Sequence, residues 1–289
     1  MAVILVGLAA TAAACGATPA AHPGTTPAAT RPVSVVPAPA GLLGGGPPQP
    51  DGSMWVLAGT GGARTLQRLD LTSGRVSVIS PVSAAAATVA QSSSGVLGVG
   101  LATRTAGALE LHNGANGTLM STVALAAPAR DVVAGSGGTT FYVLAGTPSA
   151  AGVTLVNATT GRAGATVPVP AATVALAVDP AEQNLYALGP GGQVSVVAVG
   201  NGAVVAHFPA GPSGRALALS SDGQTLYVLE GNGAVDDVAV LKTATERQVT
   251  ALPAPADAVD LQLSLDGHLL YELVGSPSVG NIQAFPAGR

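Results

Sequence analysis

The sequence predicts an all-β fold, a β-propeller of six four-stranded blades, on three observations. First, the tryptophan and all four tyrosines recur at a near-fixed interval: Trp55, Tyr142, Tyr186, Tyr227 and Tyr271, with Gly98 in the gap, at spacings of 43, 44, 44, 41 and 44. Second, a turn residue keeps step with them: Gly74, Gly117, Gly161, Gly202 and Glu246, at spacings of 43, 44, 41 and 44. Self-similarity at about 40 to 45 residues is the period of a four-stranded propeller blade. Third, Gly 39 and Pro 22 make up about a fifth of 289 residues, which favours many short elements joined by turns.

The chain opens on a different signal. Ala2 to Ala14 is an apolar stretch of h-region length, too short to span a bilayer. It ends in Ala12-Ala13-Ala14-Cys15-Gly16, small residues directly before the only cysteine. This resembles a bacterial lipoprotein signal, with residues 1–14 as signal peptide and Cys15 as the lipid attachment point. The resemblance implies an extracytoplasmic protein anchored to the cell membrane; an ordinary secretory signal and a secreted protein is the alternative. Residues 15–32 hold this cysteine and a Thr/Pro/Ala-rich stretch with no apolar period to bury, expected to act as a tether.

The propeller is expected over residues 33–289. Its innermost strands begin near Gly41, Ala86, Arg130, Val174, Arg215 and Val259, which counts six blades. Runs such as Ala216-Leu217-Ala218-Leu219 end in Asp222-Gly223, a pair suited to a tight hairpin with positive φ. Asp51-Gly52 and Asp266-Gly267 hold the same place. The last unit stops without an outer strand, and Val33-Ser34-Val35-Val36 precedes the first inner strand. The N-terminal strand is therefore expected to complete the last blade and remove an open edge. Seven blades is the alternative, if residues 32–50 hold more strands.

Ala216 to Gly223, Thr225-Leu226-Tyr227-Val228 and Val153 to Gly161 resemble the Tyr-Val-Thr-Asn (YVTN) propeller repeats, relatives of the WD-repeat proteins. The resemblance spans roughly residues 33 to 285 and implies the propeller fold. Two residues after each tyrosine the family's threonine is replaced by Leu144, Leu188, Leu229 and Leu273, and no asparagine follows, so the likeness implies no particular ligand.

The composition narrows the function. Charged residues are 9% and hydrophobic residues 48% of the chain, with a mean hydropathy of +0.48, so a core is to be buried. A net charge of -4 offers no field for a phosphate backbone, and nucleic acid is not expected as partner. One cysteine excludes an intrachain disulfide and any multi-cysteine metal site. His112, His207 and His268 stand at three different repeat phases and His22 lies in the tether, so no shared metal or nucleophile is expected and each histidine reads as solvated or singly hydrogen-bonded. No cofactor is expected either, since the glycines follow neither a P-loop nor a Gly-x-Gly-x-x-Gly spacing.

One constellation survives the phase comparison. Twelve and eleven residues before the aromatic marker, where the inner strand meets the channel mouth, lie Arg130-Asp131 in blade 3, Arg215 in blade 5 and Asp260 in blade 6. Asp257 is in the adjoining loop. These five are the candidate ligand-binding residues, with arginine forks holding a carboxylate or phosphate. The competing role is structural, in which the arginines pair with those aspartates and lock neighbouring blades. Asp236-Asp237 is expected in a solvated loop on the same face.

The leading expectation is a monomeric, non-catalytic, membrane-tethered binding protein for an envelope protein, glycan or small ligand. A lactonase-like or other hydrolytic propeller would need a base at the channel, and a structural assembly platform would need no pocket. Fold alone does not choose between them.

Overall fold

The computed structural model describes residues 31–211, 213–231 and 236–287. The signal segment, Cys15 and nearly all of the tether lie outside the described residues.

Strand β1 (Ser34–Ala38) precedes the first full blade, β2 (Leu42–Gly45), β3 (Ser53–Ala58), β4 (Arg64–Asp70) and β5 (Val76–Val82). Blade 2 is β6 (Ala86–Gln91), β7 (Val96–Ala102), β8 (Gly107–Asn113) and β9 (Leu119–Leu125). Blade 3 is β10 (Ala129–Ala134), β11 (Thr140–Thr147), β12 (Ala150–Asn157) and β13 (Ala163–Val169). Blade 4 is β14 (Ala175–Val178), β15 (Asn184–Leu188), β16 (Gln193–Ala198) and β17 (Val204–Pro209). Blade 5 is β18 (Ala216–Leu219), β19 (Thr225–Gly231), β20 (Asp236–Lys242) and β21 (Arg247–Ala254). Blade 6 is β22 (Ala258–Leu263), β23 (Leu269–Gly275) and β24 (Gly280–Pro286), completed by β1.

All six sheets are antiparallel and four-stranded. The inner strands β2, β6, β10, β14, β18 and β22 each touch the next, and β22 returns to β2, so the ring closes. Closure uses the N-terminal strand as the sequence predicts: β1 lies on β24 from Ser34 opposite Ala284 to Ala38 opposite Gly280. Residues 32–50 hold only β1 and β2, which removes the seven-blade alternative.

The core is divided among the seams between blades. Six apolar clusters each draw on two adjacent blades; the cluster of Trp55, Leu57 and Leu66 with Val89, Leu97 and Val99 joins blades 1 and 2. A second strand therefore buries both faces, as in β3, where all six residues are buried. Outer strands such as β5 face solvent over much of their length. The aromatic marker fixes a seam as well as a period: the Trp55 indole donates to the Gly114 carbonyl of the next blade at 2.9 Å.

The second marker is a left-handed turn residue. Gly74, Gly117, Gly161, Gly202 and Glu246 have φ of 71°, 73°, 66°, 69° and 56°. Each donates its N–H to the carbonyl four residues earlier. The Asp-Gly signal also marks positive φ, at Gly52, Gly223 and Gly267. The loop at Gly223 is wider than a tight hairpin, because Ser220 N–H reaches the Thr225 carbonyl and Asp222 accepts from Ser220 Oγ and Gln224 N–H inside it. A side-chain cap replaces a two-residue turn.

Candidate ligand site at the channel mouth

The inner strands surround a channel with two connected cavities. The cavity near the strand starts is about 130 Å³, and Arg130, Asp131, Arg215, Asp260, Thr88 and Gln262 are its polar side chains. The cavity beyond is about 270 Å³ and mostly apolar, lined by residues such as Pro47, Ala90, Val178, Leu219 and Leu263. Val89, Val132, Val133, Leu176, Leu217 and Gln262 border both, so one channel changes from polar to apolar along its length.

Asp131 and Asp260 stand at matching places on blades 3 and 6, opposite each other in the ring. Each is opposed by the residue two beyond the aromatic marker, Leu144 and Leu273. Each follows a bulge, at Arg130 and at Val259, where two residues of the inner strand oppose one of the next. The same register puts Gly44, Thr88, Ala175 and Ala216 at this level in the other blades. In blade 2 the residue is Thr88 and not Ala87, the residue that a fixed phase selects. The connection between inner and second strands is a residue shorter there: Ser92 bonds to Val96, whereas blade 3 closes from Gly135 to Thr140.

Both carboxylates clamp the following blade. Asp131 Oδ2 accepts the Leu176 N–H at 2.8 Å, while Oδ1 accepts from Val132 N–H at 2.8 Å and Thr88 Oγ1 at 3.4 Å. Asp260 Oδ2 accepts the Gly45 N–H at 3.0 Å and Gln262 Nε2 at 3.3 Å, and Oδ1 accepts the Leu261 N–H at 2.8 Å. Each carboxylate borders the cavity yet lies deep in the ring, and the loss of bulk hydration dominates its titration. Burial pushes Asp131 up to about 7 against its hydrogen bonds, with the Asp260 charge adding to the rise. Burial likewise raises Asp260 to about 6, against the hydrogen bonds it accepts.

The arginines do not pair with these aspartates. Arg130 donates Nε to the Gly146 carbonyl and Nη1 to the Thr173 carbonyl, both at 3.2 Å, and so ties blade 3 to the approach of blade 4. Arg215 Nη2 lies 2.7 Å from Asp236 Oδ2. Asp236 is buried at the start of β20, and Asp237 shares a hydrogen bond with Glu230, so this acidic pair is not a solvated loop. Burial raises Glu230 to about 7, with the Asp237 charge and this contact adding to the rise. Asp257 is an exposed turn residue with φ 67° and does not border the cavity. Of the five candidates, four meet around the cavity and Asp257 does not.

Among the described residues no group of three or more His, Cys, Asp or Glu could hold a metal. His207 and His268 are exposed, whereas His112 is buried and bonds both the Gly117 carbonyl and Glu110, more than the single partner expected. Thr88, Gly45 and Leu176 were missed at the sequence level. Thr88 could have been found from the blade-2 loop length; the other two act through backbone N–H and leave no side-chain signal.

No protein-family model matches the chain, and no curated protein matches it in sequence. Among solved structures it is similar to a chain of the Kuenenia stuttgartiensis hydrazine synthase, with a TM-score of 0.63 and 14% identity, covering 80% of this chain and 73% of that one. At that identity the likeness is one of fold alone: the chain is a six-bladed β-propeller.

Proposed function

We propose that this propeller is a non-catalytic binding protein, held at the outer face of the cell membrane through Cys15, whose channel takes a small protonated amine with an apolar body. The observation that carries this reading is the pair of carboxylates on opposite blades, Asp131 and Asp260, which border one cavity and have no ion-pair partner among the described residues. Two like charges sharing a desolvated site favour an incoming cation, which relieves both repulsion and lost hydration. The apolar cavity beyond suits the body of such a ligand. The sequence-level expectation of an anion on arginine forks is less well supported, since Arg130 donates to two carbonyls and Arg215 is ion-paired with Asp236.

A hydrolytic reading has one observation in its favour, the near-neutral titration of Asp131, which suits a general base. Its three hydrogen bonds, two to backbone N–H groups, fit a clamp better.

Calorimetric titration with hexylammonium, hexanoate and hexanol tests the ligand class. Hexylammonium is expected to bind at least about tenfold more tightly than the other two, a difference of about 1.4 kcal/mol. Tighter binding of hexanoate, or binding of none, would overturn it. Partition of wild type and Cys15→Ser protein between detergent and aqueous phases tests the anchor; equal partition would refute it.

A further inference from the structure

Each seam between blades receives the residue just after the aromatic marker. In five seams it is apolar and sits in the seam's cluster: Val56, Val99, Val143, Ala187 and Val228. In the seam between blades 5 and 6 it is Glu272. Strand alternation puts Glu272 on the same face of β23 as Leu270, which packs with Tyr227, Leu229, Val238 and Val240 of blade 5. Glu272 is 0% exposed, and neither carboxyl oxygen has a hydrogen-bond partner among the described residues.

The elements around it carry titratable or charged groups, but these are engaged elsewhere or do not reach it. Asp260 on β22 bonds to Gly45, Leu261 and Gln262. On blade 5, Glu230 bonds to Asp237, Arg215 pairs with Asp236, Lys242 donates to Thr225 and the Tyr227 hydroxyl donates to the Ala287 carbonyl. Strands β24 and β2 bring no charged side chain. Burial alone holds Glu272 protonated, up to about 8.

Its ladder position connects it to the channel. Glu272 is opposed on β22 by Leu261, whose N–H is the donor to Asp260 Oδ1. We propose that Glu272 is a built-in pH sensor, whose ionisation opens the seam between blades 5 and 6 and loosens the grip of Asp260 on blade 1. The proton lost from Glu272 goes to solvent, and the carboxylate gains hydration only by leaving the seam. The claim concerns the free protein and does not depend on what the channel binds.

Hydrogen exchange of the full chain at pH 6 and pH 8, corrected for the intrinsic rate, tests the proposal. Peptides covering β22 and β23 are read against β10 and β11 of blade 3, in wild type, Glu272→Gln and Glu272→Val. Asp260 titrates in all three proteins and cancels in the comparison. The ratio of wild-type to Glu272→Val opening constants at β22 and β23 should rise by up to about 50-fold between the two pH values, from a carboxyl titrating near 4.5 when open and near 8 when closed. The ratio of Glu272→Gln to Glu272→Val opening constants should stay unchanged between the two pH values, although glutamine keeps a polar side chain. The valine variant restores the residue type of other seams, so the test survives if glutamine folds poorly. An equal pH response in all three proteins, or one spread evenly over blade 3, would overturn the proposal.

Discussion

Asp131 and Asp260 are the same residue of the repeat on opposite sides of the ring, and each carboxylate accepts a backbone N–H from the next blade, Leu176 at 2.8 Å and Gly45 at 3.0 Å. One side chain thus clamps a seam and places a negative charge at the channel.

The two roles separate in a double-mutant cycle. Alanine at either position orphans the buried N–H groups it served, at about 1 to 3 kcal/mol. Each single change also relieves the repulsion between the pair, and the double change can relieve it only once. At pH 8 Asp131→Ala/Asp260→Ala should therefore lose more stability than the two singles together, by about 0.5 to 3 kcal/mol in urea denaturation. At pH 4 the excess should vanish. Simple additivity at pH 8 would show that the carboxylates do not sense each other.

Stability should fall as pH rises from 5 to 8. Asp131, Glu230 and Asp260 titrate in the folded chain at about 7, about 7 and about 6, above their ordinary values. A carboxyl raised on folding contributes fully below its unfolded pKa, and the contribution is lost up to the folded one. Asp51, Asp70, Asp222 and Asp266 are lowered instead, so their contribution is already complete above about pH 5. Scanning calorimetry should find a higher Tm at pH 5 than at pH 8; the reverse order would contradict these assignments.

Glu272→Val should stabilise the protein. At pH 7 a carboxyl held near 8 against 4.5 in the unfolded chain corresponds to about 3 kcal/mol, with the added apolar contact as a further gain. Urea midpoints measured at pH 7 decide it, and a lower midpoint for the variant would show that the carboxyl has a partner.

Removing the closing strand should open the ring. Val36 is buried against blade 1, and β1 covers the edge of β24. Deletion of residues 1–30 should leave stability unchanged, while deletion of residues 1–38 should cost at least about 3 kcal/mol and promote association through the bare edge. Thermal melts with light scattering compare the two; equal stability and equal solubility would refute closure by β1.

The fold was legible because its markers answer to local rules. A bulky aromatic fills a seam in most blades, and a left-handed turn asks for glycine, so both repeat with the blade. Glu246 shows the limit, keeping the φ of the turn without its usual residue. The site was legible by position and not by partner. Arg130 matches Arg215 in the repeat and Asp131 matches Asp260, which gathers the four at one end of the channel, but the carbonyls of Gly146 and Thr173 that engage Arg130 have no sequence signature. Asp257 was near in sequence, but it is an exposed residue of a left-handed turn outside the cavity. Glu272 was in plain view as the one charge among six equivalent residues, and its meaning emerged only with the seam around it.

The carboxyl titration of Asp131, followed by carbon NMR with and without hexylammonium, tests the channel account most directly. Without ligand the midpoint should lie near 7, held up by burial and by Asp260. With the amine bound it should fall by at least about 1 unit, since a neighbouring cation favours the carboxylate. A free-protein midpoint near the ordinary 3.8, or a midpoint near 7 that saturating amine leaves unmoved, would contradict the claim that this channel holds a cation between two carboxylates.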